Sequence, residues 1–166
     1  MSALLLIARL IVGLGLATHG AQKLFGWFGG HGLKGTGGFF ESLGFRPGTL
    51  FALAAGLGEF GGGLLTALGF LGALGPAVII MVMLVAIFTV HLPNGFMAAN
   101  NGWEMPGLYI AGALAFAVAG FGRLGVDRAI GFSALSTARA IEILIAAAVV
   151  LAVVNLALRR KPGAVQ

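Results

Sequence analysis

Several polar side chains interrupt segments that are otherwise apolar enough for a membrane, beginning with THGAQKLFG at residues 18–26. His19 lies three residues before Gln22 and four before Lys23, so the three share one face of a helix. Lys23, at a helix end, could simply extend its ammonium group to the lipid headgroups. The alternative is that all three point inward and meet polar groups of neighbouring helices. We favour the inward arrangement, which makes them one wall of a polar pocket.

Glu59 lies near the middle of a second apolar segment, and glycines surround it at helical spacing. One glycine precedes it by three residues, and Gly62 and Gly63 follow by three and four. Small residues on one helix face let another helix backbone approach closely, so we expect Glu59 to face the bundle interior. Burial there would make its carboxyl a candidate proton carrier. The alternative is that Glu59 pairs with Lys23 or His19 and only holds the helices in register.

Two further ionisable side chains, His91 and Glu104, are expected near the ends of two other helices, in the same half of the membrane as His19. An isolated charge there is costly, so these groups should pair with one another. Two histidines on separate helices could ligate a haem iron, and two histidines with a carboxylate could bind a metal ion. Hydrogen bonding is the commoner use of an intramembrane histidine. We therefore assign no metal ligand and keep a haem or metal held by His19 and His91 as the alternative.

The composition places these residues in an integral membrane protein. The chain has 166 residues, of which 59% are hydrophobic and 9% charged, and its mean hydropathy is +1.04. The apolar runs are long and unbroken rather than alternating, which favours helices over a barrel. The formal charge is +5, and the charged residues lie mostly at predicted helix ends, which indicates a role in membrane topology rather than nucleic-acid binding. The absence of cysteine excludes thiol chemistry and cysteine-bound clusters in this chain.

Five apolar segments are long enough to be membrane helices. They are predicted at residues 3–25, 49–71, 76–92, 105–121 and 140–158. The first is interpreted as a retained helix rather than a cleaved signal, because it lacks a basic start and an A-x-A cleavage site. Residues 26–48 are rich in glycine and predict a loop, either with a short interfacial helix around 39–43 or partly re-entrant. Residues 159–166 form a basic tail that begins with Arg159, Arg160 and Lys161.

Five spans would put the two chain ends on opposite faces of the membrane. We call side B the face that holds the 26–48 connection, and side A the opposite face. Side B then collects six of the ten Lys and Arg residues, which favours a cytoplasmic side B. On side A, Arg123 with Asp127 and Arg139 with Glu142 have the spacing of local ion pairs.

Short motifs in order along the chain resemble the DoxX family of small bacterial membrane proteins. They include HGAQKLFG at 19–26, GEFGGG at 58–63, HLPNGF at 91–96 and GWEMP at 102–106. The resemblance covers about residues 9–127 and implies a four-helix membrane bundle in the bacterial inner membrane. The fold prediction is therefore an all-α, polytopic transmembrane helical bundle. A DoxX-like domain occupies residues 1–139, a fifth C-terminal transmembrane helix 140–158 and the basic tail 159–166.

The resemblance also implies a function, because some family members resemble small subunits of a thiosulfate:quinone oxidoreductase and others associate with redox-stress proteins. We expect a redox-associated, quinone-linked membrane subunit, whether or not it is itself catalytic, that contacts lipid and either a redox partner protein or further copies of itself. No nucleic-acid partner is expected. A small-solute or proton carrier and a membrane scaffold for partner proteins are the alternatives. The candidate residues for quinone binding or proton relay are His19, Gln22, Lys23, Glu59, His91 and Glu104.

Overall fold

The computed structural model of the protein describes residues 2–160, and seven α-helices account for most of them. Their bounds are α1 Ser2–Phe25, α2 Gly32–Ser42, α3 Gly48–Leu68, α4 Leu74–Ala86, α5 Glu104–Ala119, α6 Val126–Ile130 and α7 Ala138–Ala157. Helix α4 continues through one π-helical turn and one 3₁₀ turn as far as Asn94. The predicted all-α, polytopic membrane bundle is confirmed. Residues 161–166 of the predicted basic tail lie outside the described residues.

Four helices are long and apolar enough to cross a membrane: Ser2–Phe25, Gly48–Leu68, Leu74–Asn94 and Ala138–Ala157. The fifth apolar helix, α5, has only 16 residues. At 1.5 Å per residue it reaches about 24 Å, which is less than the roughly 30 Å of a bilayer core. Helix α5 therefore lies within the bundle as a shorter element beside four full-length helices.

Helix α2 is longer than the sequence predicted, because Gly37 within it serves packing rather than chain breaking. The prediction of a loop with a short helix around 39–43 was wrong: the helix runs over Gly32–Ser42. Its buried residues are Thr36 and Gly37. A Cβ added at Gly37 would lie 2.8 Å from the Thr49 side chain at the start of α3, so this glycine permits close contact between the two helices.

The most extensive helix contact in residues 2–160 joins α1 to α3, and glycines bring the two backbones together. A Cβ on Gly63 would lie 2.5 Å from the carbonyl oxygen of Gly13 and 2.8 Å from the backbone nitrogen of Ala17. A Cβ on Gly20 would lie 2.7 Å from the carbonyl oxygen of Gly56. Such contacts are characteristic of membrane helices that associate through small residues. They hold α1 and α3 at nearly backbone-to-backbone distance.

Helix α4 is the centre of the remaining bundle, since it packs against α3, α5 and α7. The core contains Leu16 of α1, Ile79 and Met83 of α4, Ala113 of α5 and Ala148 of α7. At one end, the backbone amide of Arg160 donates to the carbonyl of Gly44 at 2.9 Å. At the other, the amide of Ala73 donates to the carbonyl of Leu135 at 3.0 Å. Helix α7 therefore runs the full height of the bundle from side A to side B.

The side-A connections are tied together by Asp127 rather than by the predicted local ion pairs. The Asp127 carboxylate accepts hydrogen bonds from the backbone amides of Leu71 at 2.9 Å and Gly72 at 2.6 Å. Lys23–Glu59 is the one ion pair within 4.0 Å among residues 2–160, so the predicted pairs Arg123–Asp127 and Arg139–Glu142 are wrong. Asp127 is buried, and the two backbone amides compensate its carboxylate through charge-assisted hydrogen bonds.

Replacing Gly63 with alanine should destabilise the bundle, because the new methyl group would collide with the α1 backbone. Overpacking of this kind costs about 1–3 kcal/mol. A Cβ at Gly61, on the same helix, would have no neighbour within 4 Å. Gly61→Ala should therefore leave the stability unchanged or raise it. Thermal unfolding in detergent measures both variants, and equal midpoints would contradict the glycine contact.

Asp127→Ala should lower the free energy of unfolding, because two backbone amides would lose their acceptor. Each unsatisfied buried donor costs about 1–3 kcal/mol. Arg123→Ala should change the stability by less than about 0.5 kcal/mol, as is usual for an exposed position without special contacts. Denaturant unfolding of the two variants distinguishes the observed hydrogen bonds from the ion pair that the spacing predicted. A loss in Arg123→Ala as large as that in Asp127→Ala would favour the ion pair.

Candidate binding cavity

A cavity of about 310 Å³ lies in the side-B half of the bundle, and six helices contribute to its wall. Most of the wall is apolar. It includes Leu16, Phe40, Phe51, Met83 and Met105. The polar residues that line the cavity are His19, Lys23, Glu59, Thr89, His91, Tyr109 and Asn155. Small-molecule sites usually have this construction, with an apolar wall and a few polar groups that orient the ligand.

The Lys23–Glu59 ion pair joins α1 to α3 at the cavity wall. Lys23 Nζ lies 2.5 Å from Glu59 Oε2, and the two side chains are 27% and 7% exposed. A carboxylate that leaves water for this environment needs a compensating charge, and Lys23 supplies it. The close glycine contact of α1 and α3 brings the lysine within reach. The pairing that the sequence offered as the alternative for Glu59 is therefore present, and it lies at the cavity rather than apart from it.

A hydrogen bond with Gln22 orients the ring of His19. The ring nitrogen Nδ1 of His19 lies 3.1 Å from Gln22 Oε1, and Gln22 Nε2 donates to the carbonyl of Phe28 at 3.1 Å. The His19 ring meets the ring of Tyr109 edge-on, with 6.4 Å between centroids. Gln22 itself does not line the cavity. Its position makes it a support for His19 rather than a wall residue.

His91 reaches the cavity from a π-helical turn at Ile87–His91. Such turns occur often at functional sites. His91 Nδ1 lies 2.8 Å from the carbonyl oxygen of Asn101, which ties the histidine to the loop before α5. In the same turn the Thr89 hydroxyl donates to the carbonyl of Val85 at 2.7 Å. The π turn thus presents two polar side chains, and the protein already binds His91 Nδ1 and the Thr89 hydroxyl proton.

Glu104 lies outside the cavity, at the start of α5. Its Oε2 accepts a hydrogen bond from the backbone amide of Ala98 at 2.8 Å, which closes the loop between α4 and α5. Of the six predicted residues, the structure therefore brings His19, Lys23, Glu59 and His91 to one cavity. It places Gln22 and Glu104 beside that cavity.

Besides Thr89 of the π turn, two polar cavity residues escaped the sequence analysis: Tyr109 of α5 and Asn155 of α7. Neither the Tyr109 hydroxyl nor the Asn155 amide makes a side-chain hydrogen bond within residues 2–160. A Cβ at Gly15 would lie 3.1 Å from the Tyr109 hydroxyl, so α1 leaves room for this group. The signal that could have identified both was their polarity within apolar helices. Tyr109 is the only tyrosine in the chain.

Within residues 2–160, no three His, Asp or Glu side chains come together in a group that could hold a metal ion. The two-histidine-plus-carboxylate arrangement offered by the sequence is therefore not formed. His19 and His91 line the same cavity, but each ring already uses Nδ1 in a hydrogen bond with the protein. The geometry favours a site that binds its ligand through hydrogen bonds and apolar contacts.

In a comparison with protein families, the DoxX model matches residues 4–92, which are 89 of the 166 residues. The match includes α1 to α4, with His19, Lys23, Glu59 and His91. Tyr109 and Asn155 lie beyond it. No curated protein and no solved structure shows significant similarity to the chain.

Lys23→Met should destabilise the bundle by leaving Glu59 buried without its partner. Removal of one member of a fully buried ion pair costs roughly 3–5 kcal/mol, and the loss here should be smaller because Lys23 is 27% exposed. The double variant Lys23→Met/Glu59→Gln should recover most of the loss, since no uncompensated charge remains. Lys34→Met on exposed α2 provides a matched control. Denaturant unfolding measures these three variants, the single variant Glu59→Gln and the wild type, and additive losses in the double variant would contradict direct pairing.

Proposed function

This chain belongs to the DoxX family, and from that premise we propose that it is a redox-associated membrane subunit that binds a membrane quinone in the side-B cavity. The proposal places the protein in the bacterial inner membrane, where it would act with a partner protein. The observation that carries it is the cavity itself, which combines a mostly apolar wall with a cluster of polar groups inside an apolar bundle.

A quinone suits this cavity in both size and polarity. Its ring is a flat apolar body with two oxygen atoms, and its tail prefers the environment of lipid chains. A space of about 310 Å³ falls at the lower end of typical ligand sites, which is appropriate for a ring whose tail extends beyond the cavity. The aromatic side chains Phe40 and Phe51 would pack against the ring.

The polar groups of the cavity suit the protonation chemistry of a quinone. The Tyr109 hydroxyl can donate or accept a hydrogen bond at a ring oxygen. Glu59 and the two histidines are groups that exchange protons in other membrane proteins. The electrons would come from or go to the partner, because the chain contains no cysteine and so no thiol centre of its own.

One observation favours a second function, in which the polar cluster serves only to hold helices together. The Lys23–Glu59 ion pair joins α1 and α3, as a register-fixing contact in a membrane scaffold would. A proton or small-solute carrier is the third candidate, since Glu59 is a buried carboxylate between glycine-rich helices. Neither function requires the cavity to hold a lipophilic molecule, so ligand binding separates them from our proposal.

The protein purified in mild detergent should carry a stoichiometric quinone, detected by mass spectrometry of the extracted lipids. Ala55→Phe should abolish this retention, because Ala55 lines the cavity and the larger side chain would fill it. Leu57→Phe on the same helix is the control, since Leu57 is 55% exposed and lies away from the cavity. It should retain the quinone.

A wild-type protein that carries only phospholipid, and that binds no added quinone, would overturn the proposal. Proton or solute uptake by reconstituted vesicles would then test the carrier function. If Ala55→Phe and Leu57→Phe lose the quinone equally, the molecule binds at another place on the bundle, and the assignment of the cavity is wrong.

A further inference from the structure

The hydrogen bond of His91 determines which of its ring nitrogens can face a ligand as an acceptor. Nδ1 lies 2.8 Å from the carbonyl oxygen of Asn101, and a carbonyl oxygen can only accept. Nδ1 must therefore carry the hydrogen. In the neutral ring the other nitrogen, Nε2, then holds a lone pair, and it has no protein partner within residues 2–160. Since His91 lines the cavity, this ring contributes an acceptor to it.

The same reasoning applies to His19, through Gln22. The Gln22 amide donates from Nε2 to the carbonyl of Phe28, which turns its oxygen Oε1 toward His19. An amide oxygen only accepts, so Nδ1 of His19 also carries the hydrogen. Nε2 of the neutral His19 ring is then a second acceptor without a partner among the described residues. The neutral rings of His19 and His91 therefore have the same tautomer, with the hydrogen on Nδ1.

Glu59 adds a third acceptor. Lys23 pairs with Oε2, and the other carboxylate oxygen, Oε1, has no hydrogen-bond partner in residues 2–160. Oε1 is not among the fully buried unpartnered atoms, which are Arg9 Nε, Arg9 Nη1 and Thr66 Oγ1, so it remains accessible. The proton of the Thr89 hydroxyl is already used in its bond to Val85. The Lys23 ammonium group, which also lines the cavity, keeps two N–H donors beyond its bond to Glu59. The three free acceptors, His19 Nε2, His91 Nε2 and Glu59 Oε1, therefore outnumber the groups that can only donate.

From this balance we infer that the cavity prefers the reduced, dihydroxy form of a quinone to the oxidised form. The inference rests on the proposed function and names the redox state that the site recognises. A quinol has two O–H donors, which His19 Nε2 and His91 Nε2 can accept. A quinone has only acceptor oxygens, so it can satisfy neither lone pair, and at the half-buried His91 an unpaired acceptor is costly. Tyr109 and Asn155 can donate or accept, and they do not discriminate.

The experiment measures the binding of duroquinol and of duroquinone, the reduced and oxidised tetramethyl-1,4-benzoquinone. The probes are titrated separately, under anaerobic conditions, into the full-length protein in detergent after removal of any retained quinone. We expect duroquinol to bind at least tenfold more tightly. For a two-electron couple, a tenfold preference raises the reduction potential of the bound couple by about 30 mV, which an electrochemical titration measures independently.

Two variants locate the source of the preference. His91→Phe and His19→Phe each keep an aromatic ring but remove the acceptor nitrogen, so each should weaken duroquinol binding several-fold more than duroquinone binding. His31→Phe is the matched control, because His31 lies outside the cavity and should leave both affinities unchanged. The wild-type ratio of affinities decides the question by itself if either cavity variant fails to fold.

The outcomes separate the inference from the proposed function. If neither probe binds, the quinone site is wrong, and the inference falls with it. If both bind equally, or duroquinone binds more tightly, the cavity is a quinone site but its histidines are not acceptors for a quinol. If duroquinol is preferred and both cavity variants keep the full preference, other groups select the reduced form and the assigned acceptors are wrong.

Discussion

The close approach of α1 and α3 is the constraint on which the rest of the molecule depends. Gly13 and Gly63 leave no room for a Cβ between the two backbones, and Glu59 lies one turn farther along the same face. At this separation Lys23 reaches the carboxylate of Glu59. A buried carboxylate among apolar helices would otherwise carry a large desolvation cost. The glycine contact thus brings Lys23 to Glu59, and the ion pair in turn makes the buried carboxylate tolerable between the closely packed helices.

The other helices pack around α1 and α3 and leave the cavity unfilled beside the Lys23–Glu59 ion pair. Helix α4 occupies the centre of the bundle, and its π turn carries Thr89 and His91 to the wall. Gln22 and the carbonyl of Asn101 orient the two histidines from outside. The protein therefore satisfies Nδ1 of both histidines and leaves their Nε2 atoms for a ligand. This preorganisation is what a selective site requires.

The two ends of the bundle are constructed differently. On side A, buried Arg9 donates to the carbonyl of Leu124 at 2.6 Å, and Asp127 binds the amides of the turn between α3 and α4. These contacts join connecting loops that are far apart in sequence. On side B, Arg159 donates to the carbonyl of Leu43 at 2.5 Å and brings the end of α7 to the end of α2. Side A is closed by polar contacts within the protein, whereas the side-B half contains the cavity.

The sequence alone determined the membrane-helical class and five of the helices, because long apolar runs have few alternatives in lipid. It also identified His19, Lys23, Glu59 and His91, since polar groups are rare and costly in such runs. Only the tertiary structure decided which of them meet. Spacing suggested an Arg123–Asp127 pair, but Asp127 binds the turn before α4 instead. The full length of α2 was missed because it depends on contact with α3, which local patterns do not encode. Tyr109 and Asn155 carried a local signal in their polarity, but only the fold shows that they reach the same cavity.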